Sequence, residues 1–258
     1  MTAEIFEIRE APGPVVATAI HAGHGMRDEI GSCCALDPPT RMREEDPFTD
    51  AMADIGVTTV RVMTSRFEVD LNRPREKAVY RDDADAWGLT PWRTLPAPEE
   101  IERSRAEYDL FYSAVNQLLN GIIERWGFAL VLDVHSYNHR REGPTAQPDD
   151  PETHPEINLG TGTIIDTARW LPVTEAVQHE FEIAGYDVRE NVKFRGGAFP
   201  AWVNAGFDGR ACAIAIEFKK TFIDEWTGEV DSDALERARL ALTQAASAGS
   251  DALREVCL

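Results

Sequence analysis

Cysteine is scarce in this chain, and the four present, at positions 33, 34, 212 and 257, include no C-x-x-C pair. Zinc ribbons and dithiol redox motifs need that spacing, so neither is expected and the thiols read as ordinary reduced side chains. Basic residues are few: 26 Lys and Arg stand against 45 Asp and Glu, a formal charge of −19. A surface of that sign repels phosphate backbones and anionic lipid, which argues against nucleic acid and membranes as partners. Any anionic substrate has to be met by a local basic pocket. Long apolar runs are missing too, since no stretch approaches the roughly 18 residues of a membrane helix. The N-terminus MTAEIFEIRE is acidic and lacks the apolar segment of a signal peptide. Secretion and membrane spanning find no support, and a cytoplasmic location is expected. No repeat or low-complexity linker divides the 258 residues, and 43% of them are hydrophobic. One domain spanning 1–258 with a sizeable core is therefore expected.

Against that background, four short runs rich in Val, Ile, Ala and Thr read as buried strands: Val15 to Ile20, Thr58 to Met63, Phe128 to Val134 and Cys212 to Phe218. Helical patterns lie between and after them. The clearest covers Pro98 to Trp126, where Tyr108, Phe111, Tyr112, Val115, Leu118, Leu119, Ile122 and Trp126 recur at helical spacing. A second is expected from Thr174 to near Gly185, and a third from Ser232 to about Ala246, with Ser247-Ala-Gly-Ser breaking it. Two stretches, Pro74 to Pro98 and Arg140 to Pro155, resist regular structure and read equally as substrate loops or insertions. Strands alternating with helices predict an α/β fold with a mostly parallel or mixed central sheet flanked by helices. Ligands in such folds gather beyond the carboxyl ends of the strands.

Only six histidines occur, and two follow predicted strands: His21 after VVATAI and His135 at the end of FALVLDVHS. Imidazoles on different strand ends can converge on one metal ion, although a buried histidine satisfied by backbone is the alternative for each. Asp133 lies two residues before His135, hence on the same side of a strand, where a carboxylate can orient the imidazole. His24 fits either a second ligand or a plain glycine-flanked loop. The segment REEDPFTDAMADIG offers Glu44, Glu45, Asp46 and Asp50 at a helix start. The helix dipole alone favours acids there, yet one of them would complete a three-ligand catalytic site with an open position for water. Glu217 is an acid inside the apolar run CAIAIEF; burying it unpaired is costly, and a strand-end carboxylate facing activated water is a sensible general base. Arg66 and Arg73 in TSRFEVDLNRP suit bidentate capture of a carboxylate, with ion pairs to Glu68 or Asp70 as the alternative.

Several of these stretches together resemble the N-formylglutamate amidohydrolases. TSRFEVDLNRP is similar to that family's S-R-(aromatic)-x-x-D-L-N-R segment, DVHSY to its D-x-H-S block, and HAG at 21 to 23 to its H-S/A-G opening. EDPFTDAMA, PEINLGT, NVKFRGG and IEFKKTFIDE resemble four further blocks in the family's order. The resemblance implies a zinc carboxypeptidase-like, phosphorylase/hydrolase-like α/β architecture and one Zn2+ per chain. It further implies that His21, Asp46 (or else Glu45 or Asp50) and His135 hold the ion and that Glu217 is the general base. Arg73, preceded by Asn72, would hold the carboxylate of a small-molecule substrate, with Arg66, Asn191 and Arg195 as further pocket residues. The expected reaction is hydrolysis of an N-formyl or other N-acyl amino acid. A carboxypeptidase-like peptidase or an amidase acting on a different small amide is the alternative, and a non-catalytic binding protein a third. The chain departs from the pattern before His21, where Ala19-Ile20 replaces the proline; at His24, an extra imidazole; and at Asn191-Val192-Lys193, where the family turn reads N-x-P.

Overall fold

A computed structural model describes residues 5–256, so Cys257 lies outside the described residues. Seven strands form one sheet: β1 (Phe6–Arg9), β2 (Val15–Ala19), β3 (Thr58–Val62), β4 (Ala129–Tyr137), β5 (Ile157–Gly160), β6 (Val188–Glu190) and β7 (Ala211–Lys219), in the order β1-β3-β2-β4-β7-β5-β6. Strands β3, β2, β4 and β7 run parallel to one another. Antiparallel pairs attach β1 to β3 and β5 to β7, so the sheet is mixed around a parallel centre. The central strands β2, β4 and β7 are buried along their whole length, as apolar runs without polar alternation require.

Helices cover both faces. Short helices α1 (Asp28–Cys33), α2 (Pro38–Glu44) and α3 (Thr49–Ala53) lie between β2 and β3 in the chain; α4 (Pro98–Trp126), α5 (Thr167–Ile183), α6 (Ala198–Ala205) and α7 (Ser232–Val256) are the larger covering elements. On one face, Ala17, Leu130, Leu132, Ile214 and Ile216 meet α3, α5 and α7 through Met52, Val177, Phe181, Leu242 and Leu253. On the other, Val16, Val60, Val131 and Ala213 meet α4 and α6 through Phe111, Leu119, Ile122, Phe199 and Val203. Each large side chain so buried contributes about 1.5–3 kcal/mol by leaving water. Helix α4 starts with Pro98 and the acids Glu99 and Glu100 in its first turn, as a helix N-terminus favours.

Two helices depart from the sequence expectation. Helix α5 begins at Thr167, seven residues before Thr174, and carries Pro172 inside it. The Asp166 side chain accepts from Arg169 N at 3.2 Å, and Trp170 is buried in the core, so cap and packing outweigh the bond that proline removes. Helix α7 runs through Ser247-Ala-Gly-Ser to Val256. A Cβ at Gly249 would lie 2.7 Å from Leu130 Cδ2 and 3.0 Å from Val177 Cγ2, so this glycine permits close packing and does not break the helix. The stretch 74–98 makes only two short 3-10 turns, yet Tyr80, Ala86 and Trp92 are buried; 140–155 forms neither helix nor strand. Among the described residues, no helix is long and apolar enough to cross a membrane. Cys33, Cys34 and Cys212 are free thiols.

Candidate metal centre

The parallel centre of the sheet delivers its functional side chains at the carboxyl ends of β2, β4 and β7. His21 stands two residues past β2, His135 is near the end of β4, and Glu217 is its direct register partner on β7. Between β2 and β3 the chain turns from α2 into α3 and contributes Asp46. The Asp46 N–H donates to His21 O at 2.9 Å, and the neighbouring Glu45 carbonyl accepts from Lys220 Nζ at 2.8 Å. The peptide bond before this acid is thus held on both sides. Asp46 O also accepts from the Thr49 hydroxyl at 2.7 Å.

Ligand atoms of His21, Asp46 and His135 lie within 4.8 Å of one another, and all three residues are buried. Each imidazole is oriented by a carboxylate on its far nitrogen: His21 Nε2 lies 2.8 Å from Asp70 Oδ1, and His135 Nε2 lies 2.9 Å from Asp133 Oδ2. Both Nδ1 atoms therefore face Asp46 Oδ2, at 3.5 Å from His21 and 2.9 Å from His135. His21 Nδ1 is buried without a hydrogen-bond partner, a costly state for a polar atom. Two imidazole nitrogens and a carboxylate oxygen, one nitrogen orphaned and both rings braced from behind, fit a divalent metal ion of the zinc kind. Among the described residues this is the one such group.

The charges agree. Four buried carboxylates, Asp46, Asp70, Asp133 and Glu217, surround the two imidazoles. Burial works against the charged form of His135, yet Asp133, Glu217 and Asp46 hold its pKa well above the usual histidine value. Burial also opposes ionisation of Asp46, but His135 and His21 keep its carboxyl well below the ordinary range. Burial, opposed by the charge of His135, pushes Glu217 up to about 7. Asp133 is further fixed by the Thr18 hydroxyl at 2.6 Å. Asp70 accepts from Arg66 Nη2 at 2.9 Å, from Asn72 N at 2.9 Å and from Tyr80 OH.

A cavity of about 310 Å³ opens over these residues and is lined by His21, Asp46, His135 and Glu217 together with Arg66, Asn72 and Arg195. The sequence reading took Glu44 only as a helix-start acid and Lys193 only as a departure from the family turn, and it passed over Trp87, Arg141 and Lys220 as walls. Arg66 donates to Asp70 and stacks 4.6 Å from the Trp87 ring centre. Asn72 Oδ1 accepts from Phe199 N at 3.0 Å, and Gly197 packs so closely on this side chain that a Cβ would fall 2.1 Å from Oδ1. Asn72 thereby ties the turn before α6 to the pocket.

Other expected residues lie elsewhere. Arg73 does not line the cavity: its guanidinium is 3.2 Å from Asp85 Oδ1 and 3.6 Å from Asp70 Oδ2, and stacks on Tyr80. Asp85 belongs to the 74–98 stretch, which the sequence left without structure. Asn191 holds its own turn, accepting from Thr161 N and Gly162 N at 3.1 and 2.9 Å. Asp50 pairs with Arg61 at 3.3 Å. Glu45 is taken by Ser65 and by His24, whose Nδ1 is 2.5 Å from Glu45 Oε2 and whose ring is partly exposed. Asp70, read from the sequence only as an ion-pair partner for the arginines, also braces His21, and Lys220 is a supporting group that sequence reasoning missed.

A family model described as N-formylglutamate amidohydrolase matches residues 13–223. The crystal structure of an N-formylglutamate amidohydrolase from Ralstonia eutropha JMP134 shares the fold with a TM-score of 0.76 and 18% identity, over 98% of this chain and 99% of that one. A gene product of Agrobacterium tumefaciens does so with a TM-score of 0.68 and 18% identity, over 99% and 97%. No curated protein matches the sequence.

Proposed function

We infer that the chain, which belongs to the N-formylglutamate amidohydrolase family and buries a His/Asp/His group fit for an ion, is a metal-dependent amidohydrolase. We propose that it hydrolyses the amide bond of an N-formyl or other N-acyl amino acid, with N-formylglutamate the first candidate. His21, Asp46 and His135 would hold one zinc ion. What carries this reading is the convergence of His21 Nδ1, His135 Nδ1 and Asp46 beside Glu217, at the carboxyl ends of adjacent parallel strands.

The bound ion supplies Lewis-acid polarisation of an amide carbonyl and acidifies water. Asp70 and Asp133 keep the two imidazoles in the tautomer that turns Nδ1 towards the ion. Glu217, almost fully buried and neighbouring His135 across the sheet, accepts the proton of the attacking water and returns it to the departing amine nitrogen. Arg195 takes the substrate carboxylate, with Asn72 a further residue of the cavity wall. Arg73 is committed to Asp85 and Asp70 and is left out of that role.

Zinc-loaded protein is expected to release formate or another carboxylate from N-acyl amino acids. Glu217→Gln should retain the metal and lose turnover by about 10²–10⁴-fold. Full activity in that variant would remove Glu217 from its role, and zinc-loaded protein inert towards every N-acyl amino acid would remove the substrate class.

A further inference from the structure

Lys220 stands three residues past Glu217, just beyond the end of β7, and is only 2% exposed. Among the described residues no carboxylate lies within ion-pair distance of its ammonium, although the chain carries 45 acids. Burying a charge without a counter-charge is costly unless its hydrogen bonds are complete. Here they are complete. The three N–H donors of Nζ meet three neutral acceptors: Arg43 O at 2.6 Å, Glu45 O at 2.8 Å and Asn138 Oδ1 at 3.1 Å.

Two of those acceptors belong to the end of α2. Arg43 lies in its last turn and Glu45 is its C-cap, where helix carbonyls have no partner further along the chain. The helix dipole gathers partial negative charge at the same end, which a cation answers. Lys220 is thus a C-terminal cap for α2 delivered from β7. The residue that follows the cap is Asp46. Its N–H donates to His21 O at 2.9 Å, so its backbone is suspended between the chain leaving β2 and the chain leaving β7. The Lys220 N–H in turn donates to Tyr137 O at 3.0 Å, which ties the cap to β4, the strand that carries His135.

We propose that Lys220 is a positioning residue for Asp46: its ammonium fixes where the chain leaves α2 and thereby sets the Asp46 carboxylate between His21 and His135. The proposal rests on the reading of these three residues as the metal centre and not on the identity of the substrate.

Zinc titration of the folded proteins against a competing chelator tests it. Lys220→Met, or Lys220→Gln if the methionine variant does not fold, is expected to weaken zinc binding by at least about tenfold, as loss of a group that orients a ligand does. Gly249→Ala strains the packing on Leu130 near the start of β4 and should keep the wild-type affinity, which separates positioning from stability. An equal fall in Gly249→Ala overturns the proposal. The route through Asp46 is read from a double-mutant cycle: with Asp46→Asn in place, Lys220→Met should cost little further affinity. Losses that multiply in full would put the action of Lys220 on another group and overturn the proposal. So would a variant at 220 that binds zinc as tightly as the wild type, even with a raised KM, since Lys220 lines the cavity and would then be a substrate contact. A wild type that takes up no zinc removes the metal centre and this proposal together. Turnover plays no part in the titration, so a failed substrate assignment leaves the test intact.

Discussion

Replacing Asp133 and Asp70 one at a time by Asn separates metal binding from stability, because the two carboxylates brace the two imidazoles in different company. Asp133 is fully buried and has two partners, His135 Nε2 at 2.9 Å and the Thr18 hydroxyl at 2.6 Å. Asparagine keeps the shape, and the hydroxyl can turn to accept from the new amide. The metal-free fold should therefore lose no more than about 1–2 kcal/mol. What disappears is the charge that orients His135, and such losses weaken metal binding by about 10–100-fold. Asp70 is equally buried but answers His21, Arg66, Tyr80 and the Asn72 N–H together, with Arg73 Nε at 3.6 Å. Asp70→Asn leaves the largely buried Arg66 guanidinium without its counter-charge, a loss of about 3–5 kcal/mol on top of a similar fall in metal affinity. Zinc titration against a competing chelator, paired with urea unfolding of the metal-free proteins, measures both quantities. If Asp133→Asn binds zinc as tightly as the wild type, His135 is not a ligand oriented by Asp133 and the proposed centre is wrong.

Two further outcomes follow from groups outside the metal centre. Glu107 on α4 has a buried Oε2 without a partner and only a 3.6 Å approach from Arg27; burial, and then the charge of Glu68, push its carboxyl up to about 7. Below pH about 4.5 both the folded and unfolded chains are protonated there. Between that pH and about 7 only the folded chain keeps the proton, so stability falls as pH rises. Glu107→Gln should therefore be neutral at pH 4 and stabilising by about 1–3 kcal/mol at pH 8, judged by denaturant midpoints. A variant less stable than the wild type at pH 8 would contradict this. Gly197→Ala drives a Cβ into the Asn72 side chain and should cost about 1–3 kcal/mol and disturb the Arg195 wall, raising KM more than it lowers kcat. An unchanged KM would separate that turn from substrate binding.

The inner sheet was legible because β2, β4 and β7 are buried on both faces and read as continuous apolar runs. Strands β5 and β6, of four and three residues, carry no periodic signal of their own; their pairing with β7 and with each other creates them. The glycine near residue 249 looked like a stop because its contacts with Leu130 and Val177 come from distant sequence. His21, His135 and Glu217 could be read from strand ends, and Asp46 from the resemblance. The placement of Arg73 could not, since Asp85 reaches it only through the folding of an irregular stretch. Arg141 and Lys220 escaped notice for the same reason, and Lys193 was read only as a departure from the family turn: a long cation in a loop announces neither its partner nor its lack of one.

The centre draws on chain segments far apart, with His135 lying 89 residues from Asp46 and His21 lying 49 from Asp70. None of these pairs is local, and the three proposed ligands meet only after β4 has paired with β2 and brought His135 to Asp46. During folding an ion would meet its full set of ligands only after the loop closure that pairs β4 with β2. Its grip enters late and is the first thing a departing native state must surrender. A metal bound there would therefore act as a brake on unfolding more than as a guide to folding, tying the lifetime of the native fold to the metal supply.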